Sequence, residues 1–188
     1  MNPDTLLANE MNGEPLSVEH GAPLRLIVPG WYGMASVKWL RKITVLDHKY
    51  EGFFQTDRYV VPGDDGNPVP VSNIAVKSLI SWPQQGESLR MDTYNVVGLA
   101  WSGHAHIRKV EFSDDGGESW QEAELVGPRY RYAWQQWNFA WNPKRTGHHN
   151  IVARAEDEEG NLQPLESKWN RLGYMINGVK PVCVTVTE

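Results

Sequence analysis

From about residue 92 onward, apolar and polar positions alternate with a period of two. Asp92–Ser102 reads DTYNVVGLAWS, and Ile107–Ser113 and Glu118–Leu125 continue the pattern on either side of Asp114-Asp115-Gly116-Gly117. Asp and Gly between two alternating runs signal a hairpin, because these residues tolerate the left-handed backbone of its turn. Trp137, Phe139 and Trp141 alternate with Asn138 and Ala140. Ile151, Ala153 and Ala155 alternate with Val152, Arg154 and Glu156, and a turn follows at Glu158-Glu159-Gly160-Asn161. Val182, Val184 and Val186 alternate with Cys183, Thr185 and Thr187. Short strands with turn chemistry between them predict a mainly β fold, with an antiparallel β-sandwich of about seven strands over residues 76–188.

Residues 1–75 follow a different pattern. Leu24, Ile27 and Val28 predict a short buried strand ending at Pro29-Gly30, and Lys42–Leu46 a second. Ala35-Ser36-Val37-Lys38-Trp39-Leu40, opening after Gly33, predicts a short helix. PGDDGNPVPVSN (62–73) reads as an irregular loop. So little regular structure falls short of an independent domain and reads as the last part of something larger.

The chain has 188 residues, 40% apolar and 22% charged, enough for a real core. Its 18 basic and 23 acidic residues give a net charge of −5 with no basic block, which argues against nucleic acid or an anionic membrane as partner. No apolar run approaches the roughly 18 residues of a membrane span. The first sixteen residues carry Asp4, Glu10 and Glu14 and no basic residue, unlike a secretory signal, so any export signal is expected outside this sequence. Cys183 is the single cysteine. It excludes an internal disulfide framework and a cysteine zinc cluster, and its place in an alternating strand marks it as structural.

Most histidines read as ordinary. His104 and His106 share one strand face without a third metal ligand nearby in sequence, His148 and His149 read as solvated turn residues, and no metal site is expected. His20 stands in a richer setting, HGAPLRLIVPGWYGMASVKWL (20–40). His20 and Arg25 bracket a Gly/Pro turn, and the chain then leaves a strand through Gly30 and Gly33 toward Lys38. Gly-rich backbone ahead of a helix, with cationic side chains near it, is an arrangement that receives an anion, and it is equally an arrangement of plain turns. Tyr59, after Phe53 and Phe54, reads on its own as core packing.

The stretch EMNGEPLSVEHGAPLRLIVPGWYGMASVKWL (10–40) resembles the end of the cofactor domain of the sulfite oxidase family of molybdopterin enzymes. FSDDGGESWQEAEL (112–125) and WNPKRTGHHNIVARAEDEEGN (141–161) resemble that family's immunoglobulin-like dimerisation domain. The resemblance covers essentially this whole chain and about the second half of a family member. It implies residues 1–75 as the closing part of an α+β molybdopterin domain and 76–188 as the dimerisation domain. It implies oxygen-atom transfer on sulfite or a related small oxyanion, with Mo-molybdopterin as cofactor. His20 and Arg25 would contact that cofactor, and Ser36, Val37 and Lys38 would hold its phosphate end. Tyr59 would be the catalytic tyrosine.

The same resemblance implies a homodimer, an upstream polypeptide bearing the cysteine that ligates molybdenum, a cytochrome or haem acceptor as one option, and no activity for this chain alone. It also points to a periplasmic or otherwise exported protein if bacterial relatives are followed. One departure stands out. Where the family has Trp-Asn-x-Arg-Gly, with the arginine on the substrate anion, this chain reads Trp169-Asn170-Arg171-Leu172-Gly173. Leu172 takes the arginine's place. Arg171 is left as the substrate-binding candidate, on the opposite side if the segment is extended. A non-catalytic sandwich for association or sugar binding is the alternative reading, but Trp101, Trp120, Trp137 and Trp141 read as core or dimer-interface anchors whose spacing gives no exposed stacking platform.

Overall fold

The computed structural model describes residues 3–188. It is mainly β, as the alternation predicts, and divides into two compact units. The first comprises Met1–Ile74 and Trp169–Met175, and the second Ala75–Lys168 and Ile176–Glu188. Trp169–Met175 thus groups with the first unit rather than continuing the sandwich. Among the described residues, no helix is long and apolar enough to cross a membrane.

Among the described residues the first unit holds six short strands: β1 (Leu6–Ala8), β2 (Glu10–Met11), β3 (Glu14–Pro15), β4 (Arg25–Ile27), β5 (Val60–Pro62) and β6 (Pro68–Pro70). β1 pairs antiparallel with β4, Leu6 facing Ile27 and Ala8 facing Arg25. Three expectations change here. Residues 35–40 are not helical: a single 3-10 turn covers Gly33–Ala35, Ser36 leaves helical geometry (φ −88°, ψ 82°), and Trp39 takes φ +52°. Their backbone bonds cross to residues 21–28 instead of closing an i−4 ladder, and a helix this short repays too little nucleation cost to compete. Lys42–Leu46 forms no strand. The 62–73 segment is no loose loop but a hairpin of β5 and β6, closed where the Gly63 amide donates to the Asn67 carbonyl at 2.8 Å.

The second unit is one curled sheet of eight strands folded into a sandwich, in the order β7-β9-β12-β11-β10-β13-β14-β8. These strands are β7 (Lys77–Trp82), β8 (Ser88–Arg90), β9 (Tyr94–Trp101), β10 (Ile107–Ser113), β11 (Gln121–Val126), β12 (Gln135–Trp141), β13 (Gly147–Asp157) and β14 (Val182–Thr187). All neighbours are antiparallel except β14 and β8. The predicted alternation is the burial pattern: Val96, Val110, Phe112, Trp137, Trp141, Ile151, Val184 and Val186 are essentially inaccessible. The Asp114–Trp120 loop is longer than a tight hairpin. Asp115 gathers it by accepting from Ser113, Glu118 and Ser119, and those hydroxyl and amide donors hold its carboxyl far below the usual range.

His149 corrects another expectation. It is 2% exposed, in phase with Ile151 on β13, its ring edge-on to Trp141 at 5.3 Å and its Nε2 within 3.0 Å of the Arg145 carbonyl. Of the four tryptophans expected as anchors, only Trp137 and Trp141 are core. Trp120 lies under the Arg154 guanidinium at 4.1 Å, and Trp101 faces outward.

Two contacts fix the sandwich. Gly98 faces Trp137 across the β9–β12 pair, and a Cβ at Gly98 would stand 2.2 Å from both the indole and the Leu79 carbonyl. Gly98→Ala should therefore lower stability by about 1–3 kcal/mol or more, read as a reduced urea midpoint. Asp157, fully buried, accepts from Ser102 at 2.7 Å and from the Asn161 side chain at 2.9 Å, tying two loops together. Burial alone would raise its carboxyl, but the bonds from Asn161 and Ser102 outweigh it and the net direction is downward. A carboxyl lowered on folding stabilises above its unfolded pKa of about 3.9 and loses that contribution as pH falls through the folded value. Wild type should exceed Asp157→Asn in melting temperature at pH 7, with the gap closing as pH drops below about 4.

Candidate functional site

The site candidates of the first unit gather around the turn Ser17–Pro23. The His20 amide donates to the Ser17 carbonyl, and the amides of Gly21 and Ala22 bond to Val18 and Ser17, all at 3.1 Å. The Ser17 hydroxyl lies 3.0 Å from His20 Nδ1, which fixes the imidazole. Residues 36–40 run beside this turn and β4: the Leu26 amide donates to Val37, Leu40 to Leu24 and Trp39 to Gly21, at 2.9, 2.8 and 3.2 Å. β4 is therefore flanked by β1 on one side and by residues 36–40 on the other.

Gly21 makes this approach possible. It holds φ +107°, and a Cβ there would meet the Lys38 Cβ at 2.9 Å and its Cα at 3.0 Å. With that contact open, Lys38 Nζ donates to the Glu19 carbonyl and Trp39 Nε1 to the Val18 carbonyl at 2.9 Å. Arg25 Nη1 reaches the His20 carbonyl at 3.4 Å. The structure thus brings His20, Arg25 and Lys38 together on one loop. Ser36 and Val37 stand on the flanking segment, where Ser36 Oγ accepts from the Val28 amide at 3.2 Å. Sequence reasoning missed Gly21, Trp39 and Glu19, although a glycine between His20 and Ala22-Pro23 was the available signal.

The helix N-terminus on which the anion argument leaned is absent, but its ingredients survive in another form. Among the described residues, nothing accepts from the amides of Val37 and Lys38, and the buried Arg25 Nε also has no partner. Val37 and Lys38 are exposed residues, whereas a buried donor such as Arg25 Nε is rarely left unmade, because it costs about 1–3 kcal/mol. This donor set fits an anionic, hydrogen-bond-accepting group such as a phosphorylated pterin. Glu19 is the opposing charge. Its carboxyl is held below its usual range by its own amide and the Ser17 hydroxyl, with help from His20 and Lys38.

Tyr59 closes a single π-helical turn, Phe54–Arg58. Its amide donates to Phe54 and its carbonyl accepts from Val71, both at 2.8 Å. Its ring stacks on Phe54 at 5.7 Å and tilts against Tyr174 at 5.5 Å. Beside it, a groove of about 170 Å³ is lined by Val60, Val61, Pro62 and Pro68 of the hairpin and by Arg171 and Leu172. The segment expected to be extended is a turn. Asn170 closes it by accepting from the Tyr174 amide at 3.0 Å and donating to the Tyr174 carbonyl at 2.7 Å. Arg171 and Leu172 therefore line the same groove instead of opposite sides. His104 sits 3.7 Å from Glu159, and no group of three or more metal-ligating side chains lies together among the described residues.

Two family models match successive parts of the chain. A family model described as an oxidoreductase molybdopterin binding domain matches residues 1–54, and one described as a Mo-co oxidoreductase dimerisation domain matches residues 69–186. Mitochondrial sulfite oxidase of Rattus norvegicus is 35% identical over 199 residues, 97% of this chain and 36% of that protein. The NADPH nitrate reductase of Aspergillus niger is 32% identical, over 98% of this chain and 26% of that protein. Among solved structures, the sulfane dehydrogenase SoxCD of Paracoccus pantotrophus superposes with a TM-score of 0.82 at 31% identity, over 97% of this chain and 49% of that one. The chain belongs to the molybdopterin oxidoreductases of sulfite oxidase type, and it spans between a quarter and a half of the length of these relatives.

Gly21→Ala should part residues 36–40 from the turn. A lower melting temperature and faster hydrogen exchange at the Trp39 indole N–H are expected, and exchange unchanged from wild type would show that the approach is not required.

Proposed function

We propose that this chain is the C-terminal portion of a molybdenum-dependent oxidoreductase acting on sulfite or a related small oxyanion or sulfur species. It contributes part of the cofactor cradle and the contact between subunits. The observation that carries the reading is the buried Arg25 Nε without a partner, on the same unit as the amides of Val37 and Lys38, which meet no acceptor among the described residues.

Arg25 presents a planar guanidinium to the anionic end of the cofactor, Lys38 a point charge, and Val37 and Lys38 their amides. His20, fixed by Ser17, donates or accepts at the ligand's edge according to its tautomer. Ser36 orients the segment through Val28. When bound, the molybdenum cofactor supplies the two-electron oxygen-atom transfer. Tyr59, held between Phe54 and Tyr174, is the catalytic candidate: its hydroxyl donates to a substrate oxyanion and holds or releases a proton there. Arg171 supplies the positive charge of the groove beside it. Leu172, where the family resemblance leads one to expect arginine, makes that groove less selective for inorganic sulfite.

On this reading the metal-ligating thiolate comes from the upstream part of the cofactor domain, outside residues 1–188. Cys183 is exposed on the last strand of the sandwich unit, with its Sγ 2.9 Å from Asn150 Oδ1. Trp39, Ile43, Val45, Tyr50, Phe53 and Phe54 are all exposed, a run of apolar surface that this upstream part would cover. The chain alone is then inactive and the assembled protein is a homodimer. If it follows the bacterial members of the family, its compartment is periplasmic or otherwise exported, with a cytochrome or haem protein as one option for the electron acceptor.

In the enzyme reassembled with its upstream half, Arg25→Ala and Lys38→Ala should each weaken cofactor retention. Charge-assisted bonds are worth about 1.5–3 kcal/mol, or roughly tenfold to hundredfold in affinity. Molybdenum and pterin content fall while the melting temperature of the apoprotein moves by only a few degrees. Unchanged cofactor content in both variants would overturn the cradle assignment.

A further inference from the structure

A phenol that donates to an oxyanion works only while its ring is held, since a misplacement of about 1 Å can cost about a hundredfold in rate. The main chain does part of this for Tyr59, whose amide and carbonyl are bonded to Phe54 and Val71 at 2.8 Å. Those bonds fix the backbone and leave the side-chain torsions to packing. One support of the ring is Phe54, with centroids 5.7 Å apart and planes 26° apart. Phe54 is itself 55% exposed and opens the same π-helical turn that Tyr59 closes. The other support is Tyr174, with centroids 5.5 Å apart and planes inclined at 47°.

Tyr174 is anchored from outside that turn. Between β13 and β14 the chain forms no strand or helix, so the turn Asn170–Tyr174 has no ladder to hold it. Closure falls to Asn170. Its side chain accepts from the Tyr174 amide at 3.0 Å and donates to the Tyr174 carbonyl at 2.7 Å, and its own carbonyl accepts from the Gly173 amide at 3.2 Å. Gly173 supplies the left-handed residue the turn requires, with φ +69°. Both main-chain groups of Tyr174 are thereby engaged by one side chain. The same turn presents Asn170, Arg171 and Leu172 to the groove. Tyr59 and Tyr174 are only half-buried, which suits rings beside an open groove better than a pair that serves the core alone.

We infer that Tyr174 is the positioning residue for Tyr59 and that Asn170 holds Tyr174 in place. The inference rests on the reading of Tyr59 as the catalytic candidate and adds the residues that orient it. Arg171, which draws the substrate anion, and Tyr174, which sets the phenol, then stand on one closed turn, so charge and phenol share a fixed reference. Removing the Tyr174 ring frees Tyr59 while Arg171 stays, so the rate falls and the apparent affinity does not. Removing the Arg171 charge does the converse. A ring that only stabilised the fold would move the melting temperature and leave this division between KM and kcat unseen.

The test uses the enzyme reassembled with its upstream half, assayed with sulfite and an artificial electron acceptor, and a second preparation carrying 3-fluorotyrosine at position 59. Tyr174→Ala lowers kcat about tenfold or more with KM within about twofold of wild type, and molybdenum content is unchanged. It also shifts and broadens the fluorine resonance at position 59, with or without cofactor. Tyr174→Phe keeps the ring and restores both kcat and the resonance. Asn170→Ala reproduces the Tyr174→Ala effects, and the double variant loses no more than either, as residues acting in one unit do. If Asn170→Ala fails to fold, Asn170→Asp, which keeps the acceptor and loses the donor, takes its place. Arg171→Ala raises KM and leaves the resonance where it was. An unmoved resonance in Tyr174→Ala overturns the positioning role, whether or not wild type turns sulfite over. Tyr59→Phe with the kcat of an active wild type overturns the reading of Tyr59 itself, and the role of Tyr174 falls with it.

Discussion

The candidate site depends on one backbone approach. Two stretches of chain, the turn at Ser17–Pro23 and residues 36–40, come so close at Gly21 that a single Cβ would collide with the backbone of Lys38. From that contact follow the Trp39 indole bond to Val18, the Lys38 bond to Glu19 and the bond from the Trp39 amide to Gly21. The amides of Val37 and Lys38 meet no backbone acceptor among the described residues, while the Val37 carbonyl and the amides of Trp39 and Leu40 carry the pairing to residues 21–26. A helix in the same place would have spent its amides on its own carbonyls after the first turn. Extended backbone beside a glycine turn keeps donors available at the segment that bears the lysine.

The sandwich is a different kind of construction, rigid through packing where the site is rigid through backbone bonds. Trp137 fills the space that Gly98 leaves, so the largest side chain of the core and the absence of one opposite it form a single unit. Gln163 extends the principle to polar groups. Fully buried, its Oε1 accepts from the Ser78 and Ala155 amides at 2.7 and 3.2 Å, joining β7 to β13, which are not neighbours in the sheet. Such satisfied polar contacts specify one arrangement where apolar packing alone tolerates several.

How much of this was legible in the sequence follows from which forces leave a periodic trace. Strands buried on one face write an alternation, and β9, β10, β11, β12, β13 and β14 were read from it. β7 was not, because Ser78 occupies a buried position and a bulge between Ile80 and Trp82 breaks the phase. β8, three residues long, is too short to show a period. His149 was misjudged by residue type, although it stands in phase with Ile151 and Ala153. In the first unit long-range hydrogen bonds decide the structure, and these leave no period. A Gly-rich entry and a short apolar run resembled a helix start, while the actual bonds cross to residues 21–28. The grouping of His20, Arg25 and Lys38 was nonetheless predictable from the family resemblance, because the chemistry of an anionic ligand constrains residue types even where backbone geometry is misread.

The groove beside Tyr59 shows how connectivity hides a site from linear reading. Its walls come from the β5–β6 hairpin and from a turn more than a hundred positions later, Asn170–Tyr174. That turn is preceded and followed in sequence by segments of the sandwich unit, yet it packs with the first unit, where Tyr174 meets Tyr59. Because the Asn170 side chain bonds both the amide and the carbonyl of Tyr174, the turn is closed by its own residues. Arg171 and Leu172 therefore face the groove as a pair. A leucine in the arginine position with an arginine one residue earlier is then a relocation of charge along one wall. Sulfite carries its charge on three equivalent oxygens and gains most from a guanidinium held at a fixed angle. On the proposed function, an exposed arginine beside an aliphatic wall would offer less of that fixed geometry and more contact area.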